Sequence, residues 1–143
     1  MNMDVVKVRP GAILPEYQTV DAAGADLHAC IDEPITLQPM ERRMIPTGIA
    51  VAIPKGYELQ IRARSGLSFK YGVTIINGIG TIDADYRDEM GVILINFGQD
   101  PFIIEPGMRI AQMVVARYEH ITWNPVESLD ATDRLGGFGS SGH

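Results

Sequence analysis

Three adjacent residues, Arg64, Ser65 and Gly66, combine the groups that bind phosphate oxygens. A guanidinium can donate paired hydrogen bonds to an anion, a serine hydroxyl can donate another, and glycine lets its backbone amide approach closely. Ser65 is also predicted to cap a short helix over LSFKY that ends at Gly72. Free amides and the positive end of the helix dipole would then favour an anion beside Arg64. Taken alone, this segment is equally typical of an ordinary strand-to-helix turn.

Carboxylates stand in two other segments. Asp26 follows Gly24 at a predicted junction between a loop and a strand. A carboxylate there can hold waters around a magnesium ion that a phosphate ligand carries, although an isolated Gly-Ala-Asp is more often a turn whose aspartate caps its neighbours. The stretch IDADYRD contains Asp83 and Asp85. By itself this stretch is as easily interpreted as an acidic hairpin turn.

The charge balance restricts any phosphate ligand to local contacts. The formal net charge is -6 and the pI is near 4.9. A protein of this charge is not expected to bind nucleic acid or an anionic membrane. A few placed arginines and backbone amides must therefore hold the phosphate.

Composition favours a soluble, cytoplasmic protein without a built-in zinc site. Cys30 is the only cysteine, so an intrachain disulfide is impossible. The start, MNMDVVKVRPGA, lacks the apolar core of a signal peptide, and no apolar run is long enough to cross a bilayer. The histidines lie far apart and no HExxH or CxxC motif is present.

Short apolar runs broken by Gly and Pro predict the elements that must position these residues. Because no run keeps helical spacing, we predict an all-β fold, a jelly-roll-like sandwich or barrel with one short helix. Residues 1–130 are predicted to form a single domain, and residues 131–143 a mobile tail too rich in Gly and Ser to fold alone. The predicted strands are 5–9, 26–30, 42–45, 48–53, 57–63, 73–76, 91–97 and 110–118.

Five segments, taken in order, resemble the signature segments of trimeric dUTP pyrophosphatases. They are AAGADLHA at 22–29, ARSGL at 63–67, NGIGTIDADYRD at 77–88, GMRIAQMVV at 107–115 and RLGGFGSSG at 134–142. Each is a weak signal alone, but five in register over nearly the entire chain are specific. The resemblance implies the β-clip fold of that family, a homotrimer with shared active sites, and magnesium-dependent hydrolysis of dUTP to dUMP and pyrophosphate.

The resemblance implies roles for residues around the triphosphate. Asp26 would hold magnesium through water, while Arg64, Ser65, Gly66 and Gln112 would bind phosphate oxygens. For Gln112, the alternative is a glutamine at the edge of the core that satisfies backbone groups. Arg109, in the same segment, is interpreted as structural and paired with a nearby acid.

The third segment implies recognition of the nucleoside. Uracil offers a donor at N3 and an acceptor at O4, and a hairpin with Asn77 and Gly78 can present the complementary groups. Tyr86 resembles the tyrosine that packs under deoxyribose and leaves no room for a 2'-hydroxyl. Asp83 resembles the carboxylate that orients the attacking water and is the candidate general base. Asp85 is more simply structural, although the sequence alone allows the two aspartates to be exchanged.

The tail resembles a segment that closes over bound nucleotide. Phe138 would stack on uracil, Arg134 would bind the γ-phosphate, and Gly139, Ser140 and Ser141 would contact phosphate oxygens. Arg134 and Phe138 are four positions apart where the family usually has five. The match of Arg134 to the arginine of the family pattern is therefore weaker than the match of Phe138 to its phenylalanine.

Three further positions depart from the family pattern: Ala23 replaces Ser, Ala63 replaces Pro and Asp88 replaces Gly.

Two other functions compete with the hydrolysis of dUTP. A dCTP deaminase has a related fold, but carries RSS rather than RSG and lacks tyrosine in a hairpin such as IDADYRD. A trimer that binds nucleotide without catalysis would not need the water-orienting carboxylate.

Overall fold

The computed structural model describes residues 1–139, which form an all-β fold with one short helix. The strands and helix, in chain order, are β1 Asp4–Lys7, β2 Gly24–His28, β3 Ile35–Leu37, β4 Arg42–Pro46, β5 Ile49–Ala52, β6 Tyr57–Arg62, α1 Ser65–Tyr71, β7 Val73–Ile75, β8 Gly80–Ile82, β9 Gly91–Asn96, β10 Phe102–Ile104 and β11 Arg109–Arg117.

The strands form four antiparallel sheets, ordered β1-β5, β10-β3, β2-β11-β6-β8 and β4-β9-β7. The described part of the chain contains no closed barrel. All residues of β1 are exposed, whereas apolar side chains of the other strands pack into one continuous core. Its fully buried members include Leu27, Leu37, Ile45, Leu59 and Leu94.

Three strands, β3, β8 and β10, are absent from the strands that the sequence predicts. Each is three residues long, too short for its pattern alone to stand out from the surrounding turns, and β7, of the same length, is found only as part of the longer predicted strand 73–76. β8 matters most for function. It pairs with β6 through Leu59 and Ile82 and thereby fixes the start of the IDADYRD segment.

The helix lies where the sequence predicts it, but its N-terminus is held differently. Ser65 is the first helical residue, Arg64 occupies the N-cap position, and no side chain caps the helix. The expectation that Ser65 caps the helix is therefore wrong, because Ser65 already has helical geometry. The predicted end is confirmed, since Gly72 adopts the left-handed conformation at φ 69° and its amide bonds the carbonyls of Leu67 and Ser68.

Residues 118–139 contain no helix or strand. Several apolar side chains there are largely exposed, among them Trp123, Leu129, Leu135 and Phe138. Within residues 1–139, no helix is long and apolar enough to span a bilayer.

Candidate active site

The first group of predicted site residues meets on the central sheet. β11 pairs with β2 on one side and β6 on the other, so that Asp26, Gln112 and Arg62 lie in one row. Directly paired residues of neighbouring strands project to the same face. Asp26 and Gln112 therefore lie side by side, although they are remote in sequence.

Two arginines surround Asp26. Nη1 of Arg109 lies 3.1 Å from Oδ2 of Asp26, and Nε of Arg64 lies 3.7 Å from Oδ1. Asp26 is buried, with 8% of its surface exposed. A buried carboxylate needs such partners, because removing its charge from water is costly. The predicted pairing of Arg109 with an acid is confirmed.

Arg64 is held in place by backbone as well as by charge. Its Nη1 donates a hydrogen bond to the carbonyl of Arg109 at 2.9 Å. Gln112 donates from Nε2 to the carbonyl of Ala63 at 3.2 Å. Two guanidiniums face one carboxylate in this cluster, so it carries an excess positive charge within an acidic protein. Such a local excess suits a polyanion.

Gly24 makes room for Gln112. A Cβ atom at residue 24 would overlap Oε1 of Gln112 and lie 3.1 Å from its Cδ. The glycine two positions before Asp26 therefore leaves space for the Gln112 side chain, a reason that the sequence alone does not reveal.

Substituting Ala for Gly24 is expected to rotate Gln112 out of the cluster. The end of a glutamine is flexible, so the free energy of unfolding should fall by only about 1 kcal/mol. Turnover of a triphosphate substrate should fall about tenfold if Gln112 binds it, because a hydrogen bond to a charged group is worth roughly 1.5 kcal/mol or more. Steady-state kinetics with Gln112→Ala as a reference tests this. A variant that combines Gly24→Ala with Gln112→Ala should turn over substrate about as slowly as Gln112→Ala alone. Additive losses of turnover in this double variant would contradict the explanation.

The second group of predicted residues lines a separate cavity of about 250 Å³. Asn77, Asp83 and Tyr86 face it together, over a floor formed by apolar residues of β6, β7 and β9. Gly78 has φ 72°, which the turn after Asn77 requires. The hydroxyl of Tyr86 donates to the carbonyl of Glu89 at 2.9 Å. Polar groups that converge over an apolar floor are typical of a small-molecule site.

The two aspartates of IDADYRD differ in position. Asp83 lines the cavity with Asn77 and Tyr86, whereas Asp85 does not. Both line a second, wider and open depression, together with Lys55 and His120. This placement favours Asp83 as the carboxylate that meets a ligand in the smaller cavity.

The two groups are far apart within one chain. Asp26 lies two strands from Arg62, while Asp83 follows Ile82, whose partner is Leu59. At the usual spacing and rise of β-strands, Asp26 and Asp83 are on the order of 20 Å apart. This distance is too great for both residues to contact one triphosphate.

Predicted residues of the tail stay apart from both groups. Arg134, Phe138 and Gly139 are exposed, and Phe138 is fully so. Ser140 and Ser141 lie outside the described residues. Ser65 and Gly66 are also exposed, at the start of α1.

The donor set fits a magnesium ion that arrives with its substrate. Residues 1–139 contain no cluster of three or more His, Cys, Asp or Glu side chains able to hold a metal. Magnesium commonly binds through one or two carboxylates and the phosphates of a substrate. Asp26 supplies one such carboxylate, with the positive charge of Arg64 and Arg109 beside it.

Comparison with known proteins identifies the family. The dUTPase family model matches residues 11–142. The chain belongs to the dUTPase family. A deoxyuridine 5'-triphosphate nucleotidohydrolase of Rickettsia bellii (strain OSU 85-389) is 58% identical over 130 residues, which cover 90% of this chain and 87% of the relative.

Solved structures agree with this dUTPase assignment. A point mutant of the Staphylococcus bacteriophage 80alpha dUTPase with dUpNHpp has a TM-score of 0.88 at 28% identity, covering 99% of this chain and 98% of that one. A mutant dUTPase from phage phi11 of S. aureus, with a structural Mg(II) ion, has a TM-score of 0.80 at 25% identity, covering 90% and 98%. The predicted all-β, jelly-roll-like β-clip is therefore confirmed as the fold class.

Sequence reasoning missed one contributor to these sites. Glu89 is not among the predicted site residues, although it lines the cavity with Asp83 and Tyr86. The position of Glu89 just after IDADYRD is the signal that could have found it.

Proposed function

We infer that this dUTPase-family protein hydrolyses dUTP to dUMP and pyrophosphate. This reaction lowers dUTP, which limits uracil incorporation into DNA, and supplies dUMP for dTMP synthesis. The observation that carries the proposal is the cavity where Asn77, Asp83 and Tyr86 converge. The family match and the dUTPase relatives support the same substrate. We expect the protein to act in the cytoplasm.

The cavity has the chemistry to select deoxyuridine. Asn77 and the backbone of the turn at Gly78 present amide donors and acceptors that match N3 and O4 of uracil. Tyr86 lies beside Asp83 in the same cavity, where its ring would pack under the deoxyribose. A ribose would bring its 2'-hydroxyl against that ring. The pocket therefore favours dUTP over both dCTP and UTP.

The cluster around Asp26 has the chemistry to hold the triphosphate. Arg64 would turn from Asp26 toward phosphate oxygens, with Ser65, Gly66 and Gln112 donating further hydrogen bonds. Arg109 would remain on Asp26 and keep the carboxylate in place. Asp26 would contact the magnesium ion through water. When bound, this ion neutralises charge on the phosphate oxygens.

Hydrolysis requires one water molecule aligned with the α-phosphorus. Asp83 accepts a proton from that water as it attacks, and the bond from the α-phosphorus to the bridging oxygen breaks. The departing pyrophosphate carries the new negative charge, which Arg64, Ser65 and Gln112 stabilise. No covalent intermediate is needed. The chain's contribution is alignment of the water and placement of charge.

The distance between Asp26 and Asp83 supports an active site shared between chains. On the order of 20 Å separates them by strand geometry, so the cavity of one chain must face the cluster of another. We propose a homotrimer, in which the third chain supplies the tail. Arg134 and Phe138 are exposed, which leaves their side chains free to contact a neighbouring chain. Phe138 would cover uracil, and Arg134, Gly139, Ser140 and Ser141 the phosphates.

Phosphorus NMR of dUTP with the protein and magnesium is expected to show pyrophosphate and dUMP as the products. Parallel samples with dCTP, dTTP and UTP should remain almost unchanged over the same time. The hydrogen-bonding groups at Asn77 reject cytosine, a tight hairpin has no room for the methyl group of thymine, and Tyr86 rejects the ribose. Omitting magnesium should slow the reaction strongly.

Companion assays on the same samples identify competing functions. Ammonia released from dCTP, measured by an enzyme-coupled assay, would indicate a deaminase. Tight binding of dUTP without any product would indicate a nucleotide-sensing protein. Release of inorganic phosphate in place of pyrophosphate would place the attack at a different phosphorus and contradict the role of Asp83.

A further inference from the structure

Glu89 joins three separate parts of the chain. Its Oε1 accepts a hydrogen bond from Nε of Arg9 at 2.6 Å and from the amide of Gly48 at 2.8 Å. Its backbone carbonyl accepts the hydroxyl of Tyr86 at 2.9 Å. The same residue also lines the cavity that contains Asp83. Glu89 thus connects the N-terminal segment and the β4–β5 turn to the nucleoside cavity.

The loop that carries the functional residues has few other attachments. The hydrogen bonds that residues 83–88 make within the described chain all end between 83 and 89. One of them, from the amide of Tyr86 to the carbonyl of Asp83 at 3.1 Å, links the tyrosine to the candidate base. Ala84 adds a packing contact with the core. The loop is therefore held at its ends, by β8 on one side and by Glu89 on the other.

The bond between Arg9 and Glu89 is ionic at neutral pH. The hydrogen bond from Arg9, and next the amide of Gly48, hold the pKa of Glu89 below its ordinary value despite partial burial. The side chain of Glu89 is 23% exposed, and that of Arg9 is 50% exposed. A carboxylate that is mostly covered, charged and doubly bonded is a firmer anchor than a solvated surface pair.

We infer that Glu89, held by Arg9, is a positioning residue that sets the location of the Tyr86 ring and thereby the preference for deoxyribose over ribose. This inference rests on the proposed function. Tyr86 is held at both ends, since its amide bonds Asp83 and its hydroxyl bonds Glu89. Loss of the anchor lets the Glu89 backbone shift, and the ring moves with it. A small displacement opens space for a 2'-hydroxyl.

The test measures kcat and KM for dUTP and UTP in four variants. A pocket that merely excludes a hydroxyl discriminates by roughly 100-fold. Because a displaced Tyr86 ring removes part of this discrimination, Glu89→Ala is expected to lower the ratio of kcat/KM for dUTP to that for UTP by about tenfold. Arg9→Ala should act in the same direction, more weakly, because Gly48 still holds Glu89. Glu89→Gln keeps the acceptor and should restore most of the ratio. Glu105→Ala, an exposed residue outside this network, should leave the ratio unchanged.

Coupling between residues provides a second readout. Tyr86→Phe removes the hydroxyl bond, so adding Glu89→Ala to it should change the ratio less than Glu89→Ala does alone. A purely structural role of Glu89 would lower the melting temperature and total activity without changing the ratio. If Glu89→Ala does not fold, Arg9→Ala decides the question through the same ratio.

The inference and the proposed function fail in different ways. A wild-type protein that releases no pyrophosphate from dUTP would overturn the function. A wild-type protein that hydrolyses dUTP, with folded Glu89→Ala and Arg9→Ala variants that keep the wild-type ratio, would overturn the inference alone.

Discussion

Replacing Asp83 by Asn is expected to reduce kcat for dUTP by between about 10²- and 10⁴-fold, the usual contribution of a general base. Asparagine has nearly the same size and can still bond a neighbouring hydroxyl, but it cannot accept a proton from the attacking water. The dissociation constant for a non-hydrolysable imido analogue of dUTP should therefore change little. Quenched-flow or steady-state kinetics and calorimetry measure the two quantities separately.

Asp85→Asn is the matched control for this prediction. Asp85 has the same chemistry two positions further along, but it does not line the cavity that Asp83 shares with Tyr86. Its substitution should leave kcat within a few-fold of the wild-type value. Near-normal turnover by Asp83→Asn, or a larger loss in Asp85→Asn, would show that the base has been assigned wrongly.

Mixing two inactive variants is expected to restore activity. Arg64→Ala removes a phosphate contact from the cluster, and Asp83→Asn removes the base from the cavity. If these parts come from different chains, a trimer containing both variants has some sites with an intact cluster and an intact cavity. After refolding at equal amounts, random assembly should make about a quarter of all sites complete, since each half is intact with a probability of about one half.

The restored activity distinguishes shared sites from sites within one chain. Each variant refolded alone should stay inactive, and so should a mixture of intact trimers that have not exchanged subunits. A sample in which Asp83→Asn and Arg64→Ala are combined in every chain should gain nothing from refolding. Failure of the mixture to recover activity, despite mixed trimers seen by native mass spectrometry, would place the entire site in one chain and contradict the strand geometry.

Several elements could be predicted from the sequence because they depend on local chemistry. The long strands β6, β9 and β11 follow from short apolar runs that are bounded by turn residues, and the end of α1 follows from the freedom of Gly72 to adopt a positive φ. The three-residue strands β3, β8 and β10 could not be found in this way. A strand so short is stabilised by its partner rather than by its own pattern.

The cap of α1 illustrates a second limit. Ser65 is a favoured capping residue, and the sequence offers no reason to move the cap by one position. In the structure, Arg64 takes that place, because its guanidinium is held by Asp26 and by the carbonyl of Arg109. Long-range contacts of Arg64 therefore determine the N-cap position of α1, which capping propensity alone assigns to Ser65.

The residue types at the candidate site were determined by the sequence itself. Phosphate binding needs guanidinium and amide donors, and proton transfer needs a carboxylate, so Arg64, Asp26 and Asp83 could be named as candidates from their chemistry and their neighbours in the chain. Only the tertiary structure decided which of them meet. Strand pairing brought Arg109 to Asp26, carried Asp83 on the order of 20 Å from Asp26, and placed Glu89 beside Tyr86. The physical reason is that side-chain chemistry is a local property, whereas distance depends on which strands exchange hydrogen bonds across the fold.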